Sequence, residues 1–153
     1  TVPPSVFGND NDFDLNDWGA TVQGGNLHAM RRVPAGYEHR LFTVGTEGAW
    51  RDGAAVPILA GKPGSGIYLT PYGTGVLAVQ IAASAANEVE YSFFNGVMWS
   101  PWRALVTTAA TRNFIAGSAP LVDSANGAGP AARPAIMWTE SGLVFRIIGL
   151  QLP

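Results

Sequence analysis

Residues 88–105, EVEYSFFNGVMWSPWRAL, decide how this chain is read. Val89, Tyr91 and Phe93 alternate with Glu88, Glu90, Ser92 and Phe94, the period of two that sends side chains to opposite faces of a strand. Asn95-Gly96 then separates two apolar runs. Both residues tolerate the positive φ of a type I′ turn, so a β-hairpin is expected with Val97-Met98-Trp99 as its return strand. Ser100-Pro101 ends that strand, because proline has no N–H to give a ladder. Trp102 and Leu105 add apolar bulk just past the break.

Upstream, the same kind of pattern recurs. Residues 76–83 form a nearly continuous apolar run broken only by Gln80, which predicts a central strand. Residues 37–44, YEHRLFTV, place Leu41 and Thr43 on one face and Phe42 and Val44 on the other, a strand buried on both sides. Residues 18–30 read as strand around a Gly24-Gly25 turn. No helical repeat of apolar residues precedes residue 76, and AASAA at 82–86 is too short to stand as a helix, so it reads as a turn region. The fold class is all-β.

Composition agrees. The 153 residues are 47% hydrophobic but only 13% charged, with 19 glycines and 11 prolines. That charge content is about half the usual level, which fits strands and turns and favours an extensive subunit interface. A net charge of −2 gives no basic footprint for nucleic acid. There is no cysteine, hence no disulfide framework or thiolate metal site. No apolar run approaches the roughly 20 residues of a helical membrane span, and no signal-peptide pattern opens the chain. The chain starts at Thr1, which suggests a C-terminal piece cut from a longer protein.

Three regions organise the rest. Residues 1–13, with Pro3-Pro4, read as a linker or arm. Within 8–17, Asp10, Asp12 and Asp14 alternate as in the first half of a calcium loop, but Leu15 occupies the glycine position and Thr21 the bidentate glutamate position. Turn capping explains them better than a metal. Residues 14–105 form the main domain. Inside it, 47–75 is punctuated by Gly48, Gly53, Gly61, Pro63, Gly64, Gly66, Pro71, Gly73 and Gly75 and reads as inserted loops. Beyond 105, a small-residue linker and an irregular Ala/Gly/Ser/Pro stretch lead to a hairpin around Glu140-Ser141-Gly142, so 106–153 is a C-terminal β appendage.

Trp50, Arg51, Asp52, Tyr68 and Tyr72 ride on the 47–75 stretch and are the candidate carbohydrate-binding residues. A pyranose packs its C–H face on an aromatic ring while its hydroxyls pair with charged or amide groups. Amphipathic rings and loop siting suit that task. Nothing points to catalysis. His28 and His39 fall in different expected strands, and Gly64-Ser65-Gly66 lacks the strand and helix of a nucleophile elbow. A glycosidase needs two carboxylates about 5–10 Å apart. Glu47/Asp52 or Glu88/Glu90 meet that only formally, and the latter pair reads as a solvated face of the hairpin. No catalytic residue, metal or cofactor is expected.

A hairpin closing on Trp99-Ser100-Pro101-Trp102-Arg103-Ala104-Leu105 resembles the end of a knob domain of bacteriophage tail fibres and R-type pyocin fibres. Asp14-Leu15-Asn16-Asp17 resembles the D-L-N-D opening of such knobs. Arg32-Val33-Pro34-Ala35-Gly36 stands where an N-x-P-x-G-like segment falls, and residues 76–81 resemble the strand before the terminal hairpin. The resemblance covers about 14–105, and 47–75 departs from it. It implies an antiparallel knob-like sandwich or barrel with a C-terminal β-hairpin appendage, assembled as a homotrimer on a virion tail fibre. It implies non-covalent attachment to a bacterial cell-surface polysaccharide, with no nucleic acid partner and no membrane insertion. The alternatives are a purely structural trimerising knob and a fragment of a polysaccharide-degrading tailspike. Such tailspikes resemble repeat-built β-helices, and no such period is present here.

Overall fold

A computed structural model describes residues 18–45, 50–82 and 88–107, together with the strand backbones of 112–117, 135–140 and 144–149. Strands β1 (Trp18–Gln23), β2 (Asn26–Val33), β3 (Gly36–Thr43) and β4 (Ala54–Ala60) form one four-stranded sheet in that order. Strands β5 (Ser65–Tyr72), β6 (Gly75–Ile81), β7 (Glu88–Phe94) and β8 (Arg103–Thr107) form a second. Every neighbour in both sheets is antiparallel. Backbones β9 (Arg112–Gly117), β10 (Ala135–Glu140) and β11 (Val144–Gly149) pair in the order β11-β10-β9, with β9 running close to β5 and β6. The only helical element among the described residues is one 3-10 turn, Trp50–Asp52.

The two four-stranded sheets share one core. Met30, Tyr37 and Leu59 of the first pack with Ile67, Leu69, Val76, Ala78 and Phe94 of the second. Period-two alternation assigns the faces: Met30 and Tyr37 point between the sheets, whereas Ala29 and Phe42 point outward. β6 is central, and all seven of its residues are buried because it is apolar on both faces. Leu77, Val79 and Val89 form a second cluster on its outer side, flanked by Tyr68, Tyr72, Tyr91 and Phe93. The Gly24-Gly25 turn forms as expected, with φ of 59° and 79°, both positive as a type I′ loop requires.

The deciding hairpin is a strand pair of a different kind from the expected one. β7 has the predicted faces, but residues 97–99 are not a strand: only Phe94 and Trp99 form an isolated bridge, and β8 is the true return strand. The reason is local hydrogen bonding. The Asn95 side-chain oxygen accepts from the amides of Val97 (2.9 Å) and Met98 (3.0 Å), which folds the chain into an Asx turn instead of a two-residue loop. Ser100 then rejoins β7, its N–H donating to the Phe93 carbonyl at 2.8 Å and its hydroxyl accepting from the Phe93 N–H at 3.0 Å.

The stretch read as inserted loops supplies β4 and β5, the last strand of the first sheet and the first of the second. Its prolines misled the reading because proline is admitted at sheet edges, and both strands are edges: Pro57 lies at the irregular register of β4 and Pro71 in β5. Glu90 also departs from expectation. It lies on the core side of β7 and accepts from the Gln80 amide at 2.9 Å, so it is not on a solvated face. Residues 1–17, with the acidic alternation and the D-L-N-D segment, and residues 83–87 lie outside the described residues, as do Glu47 and the expected turn at 141–142.

Candidate functional site

The two histidines are interior groups. His28 and His39 stack between the sheets, ring centroids 5.2 Å apart, with His28 Nδ1 3.1 Å from His39 Nε2. Trp99 fixes the tautomers. Its indole N–H can only donate, and it points at His39 Nδ1 from 3.3 Å. His39 Nδ1 is therefore bare, Nε2 carries the proton, and that proton is given to His28 Nδ1. Burial, then the neighbouring His28, pushes the His39 pKa down to about 3. Burial lowers His28 as well, against an opposing hydrogen bond to the Gln23 backbone. Both rings are neutral at physiological pH and closed to solvent, so neither serves as a general base for an external substrate.

The outer face of the first sheet carries a second closed set. Glu38 accepts from Arg31 Nε at 2.8 Å and from Arg40 Nη2 at 2.9 Å. Burial works to raise its pKa, and the two guanidiniums overcome that and hold it below the usual range. Arg40 also donates to the Gly53 carbonyl at 3.0 Å, tying the turn before β4 to the sheet. Trp50 closes this face. It packs on Ala29 and Phe42, meets Trp18 edge-on at 5.6 Å, and lies under the Arg31 guanidinium at 5.0 Å.

The five residues proposed for sugar binding are therefore not brought together. Trp50 is only 7% exposed and belongs to the core of one outer face. Arg51 and Asp52 beside it are exposed and lie 3.8 Å apart as an ion pair. Tyr68 and Tyr72 sit on β5, on the outer face of the opposite sheet, with Tyr72 edge-on to Phe93 at 5.8 Å. Burial raises the Tyr68 pKa. Trp50, packed on Ala29, Phe42 and Trp18, has no open face for a sugar, whereas Tyr68 and Tyr72 are half-buried.

A concave surface lies elsewhere among the described residues. A cleft of about 450 Å³ opens where the β2–β3 turn faces the β4–β5 connection, lined by Arg32, Val33, Pro34, Lys62 and Pro63. No family model, curated protein or solved structure matches the chain. Gly64, beside the Lys62 wall, lies so close to the Ile81 carbonyl that a Cβ has no room, and its N–H donates to Gln80 Oε1 at 2.8 Å. Tyr37, beneath the Arg32 wall, donates its hydroxyl to the same Gln80 oxygen at 2.8 Å. Gln80 is fully buried and completes itself on Glu90, so one amide ties both sheets together below the cleft. On the far side of Lys62, Trp102 fills the space over Gly61 and meets the Tyr37 ring at 6.2 Å. Among the described residues, no group of three or more His, Asp or Glu side chains gathers to hold a metal.

In sequence, Arg32 stands out only within the Arg32-Val33-Pro34-Ala35-Gly36 segment, and Lys62 does not stand out at all. A signal was present. Residues 18–37 and 53–87 contain no Asp or Glu, and Lys62 is the only lysine in the chain. Two acid-free stretches that each carry a cation are a local positive feature hidden by the net charge of −2.

Proposed function

We propose that this chain is a binding module without turnover: the receptor-binding part of a phage-type or pyocin-type tail fibre that attaches to a bacterial surface polysaccharide, presented as a homotrimer. One observation carries the binding reading. Both histidines and Glu38 are satisfied by partners within the structure, while a preformed cleft on a doubly tied scaffold faces solvent. Preformed concave sites bind with little ordering cost, and trimeric presentation multiplies a weak single-site affinity. The tail-fibre assignment and the trimer rest on the resemblance of residues 99–105 and their hairpin to fibre knobs. Both tryptophans of that motif pack against the core between the sheets, as a closing motif should.

Decoration of host cells by fluorescently labelled protein tests the reading. Binding to cells of at least one strain, lost when the surface polysaccharide is stripped, is the expected result. A chain that is trimeric by light scattering but inert towards every cell and glycan would instead be a structural knob. Release of reducing sugar from the purified polysaccharide would make it an enzyme.

A further inference from the structure

We propose that the Trp99–His39–His28 hydrogen-bond chain is an acid-released latch: a proton taken up by either histidine frees residues 95–102 from between the sheets while the sheets stay paired. Each bond in the chain runs one way. The Trp99 indole N–H reaches His39 Nδ1 at 3.3 Å, and His39 Nε2 lies 3.1 Å from His28 Nδ1. An imidazolium carries a hydrogen on both nitrogens and accepts nothing. A proton on His39 therefore sets N–H against the indole N–H, and a proton on His28 sets N–H against the N–H of His39. Among the described residues no carboxylate bonds either ring to offset the new charge. The charged groups on the surrounding strands are placed elsewhere. Arg31, Glu38 and Arg40 bond one another on the outer face of the first sheet, Glu90 holds Gln80, Arg32 is exposed near the end of β2, and Glu88 opens β7. The Tyr37 hydroxyl donates to Gln80, and neither β1 nor residues 95–102 carry a charge. The hydrogen bond of His28 to the Gln23 backbone favours its charged form, but burial outweighs it.

The conflict has one easy outlet. β2 and β3 are the inner strands of the first sheet, each paired on both sides, so the histidines cannot leave without breaking it. Residues 95–102 lie outside any ladder. Phe94 and Trp99 form an isolated bridge, and Ser100 is tied to β7 through the Phe93 backbone and the Ser92 hydroxyl. Segments held by few such ties open first. Val97 and Met98 are already exposed, so the release of Trp99 adds a large ring to an apolar tip. The latch lies in the interior and does not depend on what the protein binds.

Hydrogen exchange of the full chain at pH 7 and pH 5, corrected for the intrinsic rate, reads the latch at the Ser100 amide and the Trp99 indole N–H. The Val79 amide of central β6 is the reference. An opened state in which a histidine regains its ordinary value near 6.5 gains up to about tenfold per pH unit for each ring. Ser100 opening is expected to rise at least about tenfold from pH 7 to pH 5, and at pH 5 to stay at least about tenfold more frequent than Val79 opening. The double variant His28→Gln/His39→Gln keeps a donor and an acceptor at each position but cannot titrate, so its Ser100 opening should change by less than about twofold. Trp99→Phe keeps a ring and loses the indole N–H, and should raise Ser100 opening at pH 7 at least about threefold, the worth of one hydrogen bond. Ser100 opening that matches Val79 opening at pH 5 overturns the latch, because the segment then leaves only with the whole fold. Indifference of Ser100 to pH in the parent overturns it as well, as does a parent-sized response in the double glutamine variant. Should that variant not fold, the parent and Trp99→Phe decide alone: a Trp99→Phe chain that opens no more often than the parent at pH 7 sinks the idea.

Discussion

His39 lies 3.1 Å from His28 between the two sheets; burial holds the pair neutral, and the Trp99 indole, which can only donate, points at His39 Nδ1. Trp99 belongs to the W-S-P-W segment after β7, so that segment sets the tautomers of the buried pair. A neutral buried base has a consequence for pH. The folded state refuses a proton that the unfolded state accepts below its ordinary value of about 6.5.

Stability should therefore be flat above pH 7 and fall as pH drops through about 6.5, continuing toward the folded His39 value of about 3. For His39 alone the loss between pH 6.5 and 5 is about 2 kcal/mol, with a further contribution from His28 in the same direction. Glu38 acts in the same sense but only at more acid pH: its folded pKa is lowered, so its contribution disappears as pH falls past the ordinary carboxylate range. Urea midpoints measured at half-unit steps from pH 8 to 5 check this. A midpoint unchanged down to pH 5 would show that the pair is hydrated or charged in solution.

Trp50→Ala should act on the fold. The ring fills the outer face of the first sheet against Phe42, Ala29 and Trp18, so its removal leaves a cavity worth about 3–5 kcal/mol. Arg51→Ala, one residue on and exposed, should stay within about 0.5 kcal/mol of the parent. Denaturant titration of both variants decides. A stable Trp50→Ala variant would return this ring to the surface.

Gln80 is the one polar residue in the apolar run of β6, and its effect should be large for its size. Gln80→Leu strips an acceptor from the Tyr37 hydroxyl and the Gly64 N–H and a donor from Glu90, at about 1–3 kcal/mol for each buried group left unpaired. Tyr37→Phe removes only one partner, and Gly64 still satisfies the Gln80 oxygen, so about 1 kcal/mol is expected. Equal losses in the two variants would mean that Gln80 is not the tie between the sheets.

Why some of this was legible and some was not follows from the residues. β6, β7 and the Gly24-Gly25 turn announce themselves because period, burial and turn chemistry all agree there. β4 and β5 do not, because edge strands accept Pro57 and Pro71 and need no strong propensity. The burial of Trp50 was hidden for a different reason. A tryptophan between glycines looks like a loop ornament until the Arg31–Glu38–Arg40 set shows that a face of the sheet needs a cover. The Arg32/Lys62 cleft joins residues 30 positions apart, and such a pairing exists only once the sheets are folded.

Asn95 separates two accounts of the same turn. In a type I′ hairpin its role is to tolerate positive φ, and glycine would serve as well. In the observed turn its side-chain oxygen accepts from both the Val97 and Met98 N–H groups, while its own N–H donates to the Met98 carbonyl at 3.2 Å. Asn95→Asp keeps that acceptor and should leave stability within about 0.5 kcal/mol. Asn95→Gly removes it and loosens the unfolded chain, and should cost about 1–2 kcal/mol. Thermal melts of the two variants, with hydrogen exchange at the Val97 and Met98 amides, provide the comparison. If Asn95→Gly proves as stable as the parent and those amides exchange no faster, the two-residue hairpin is the correct description, and residues 97–99 regain their place as the return strand.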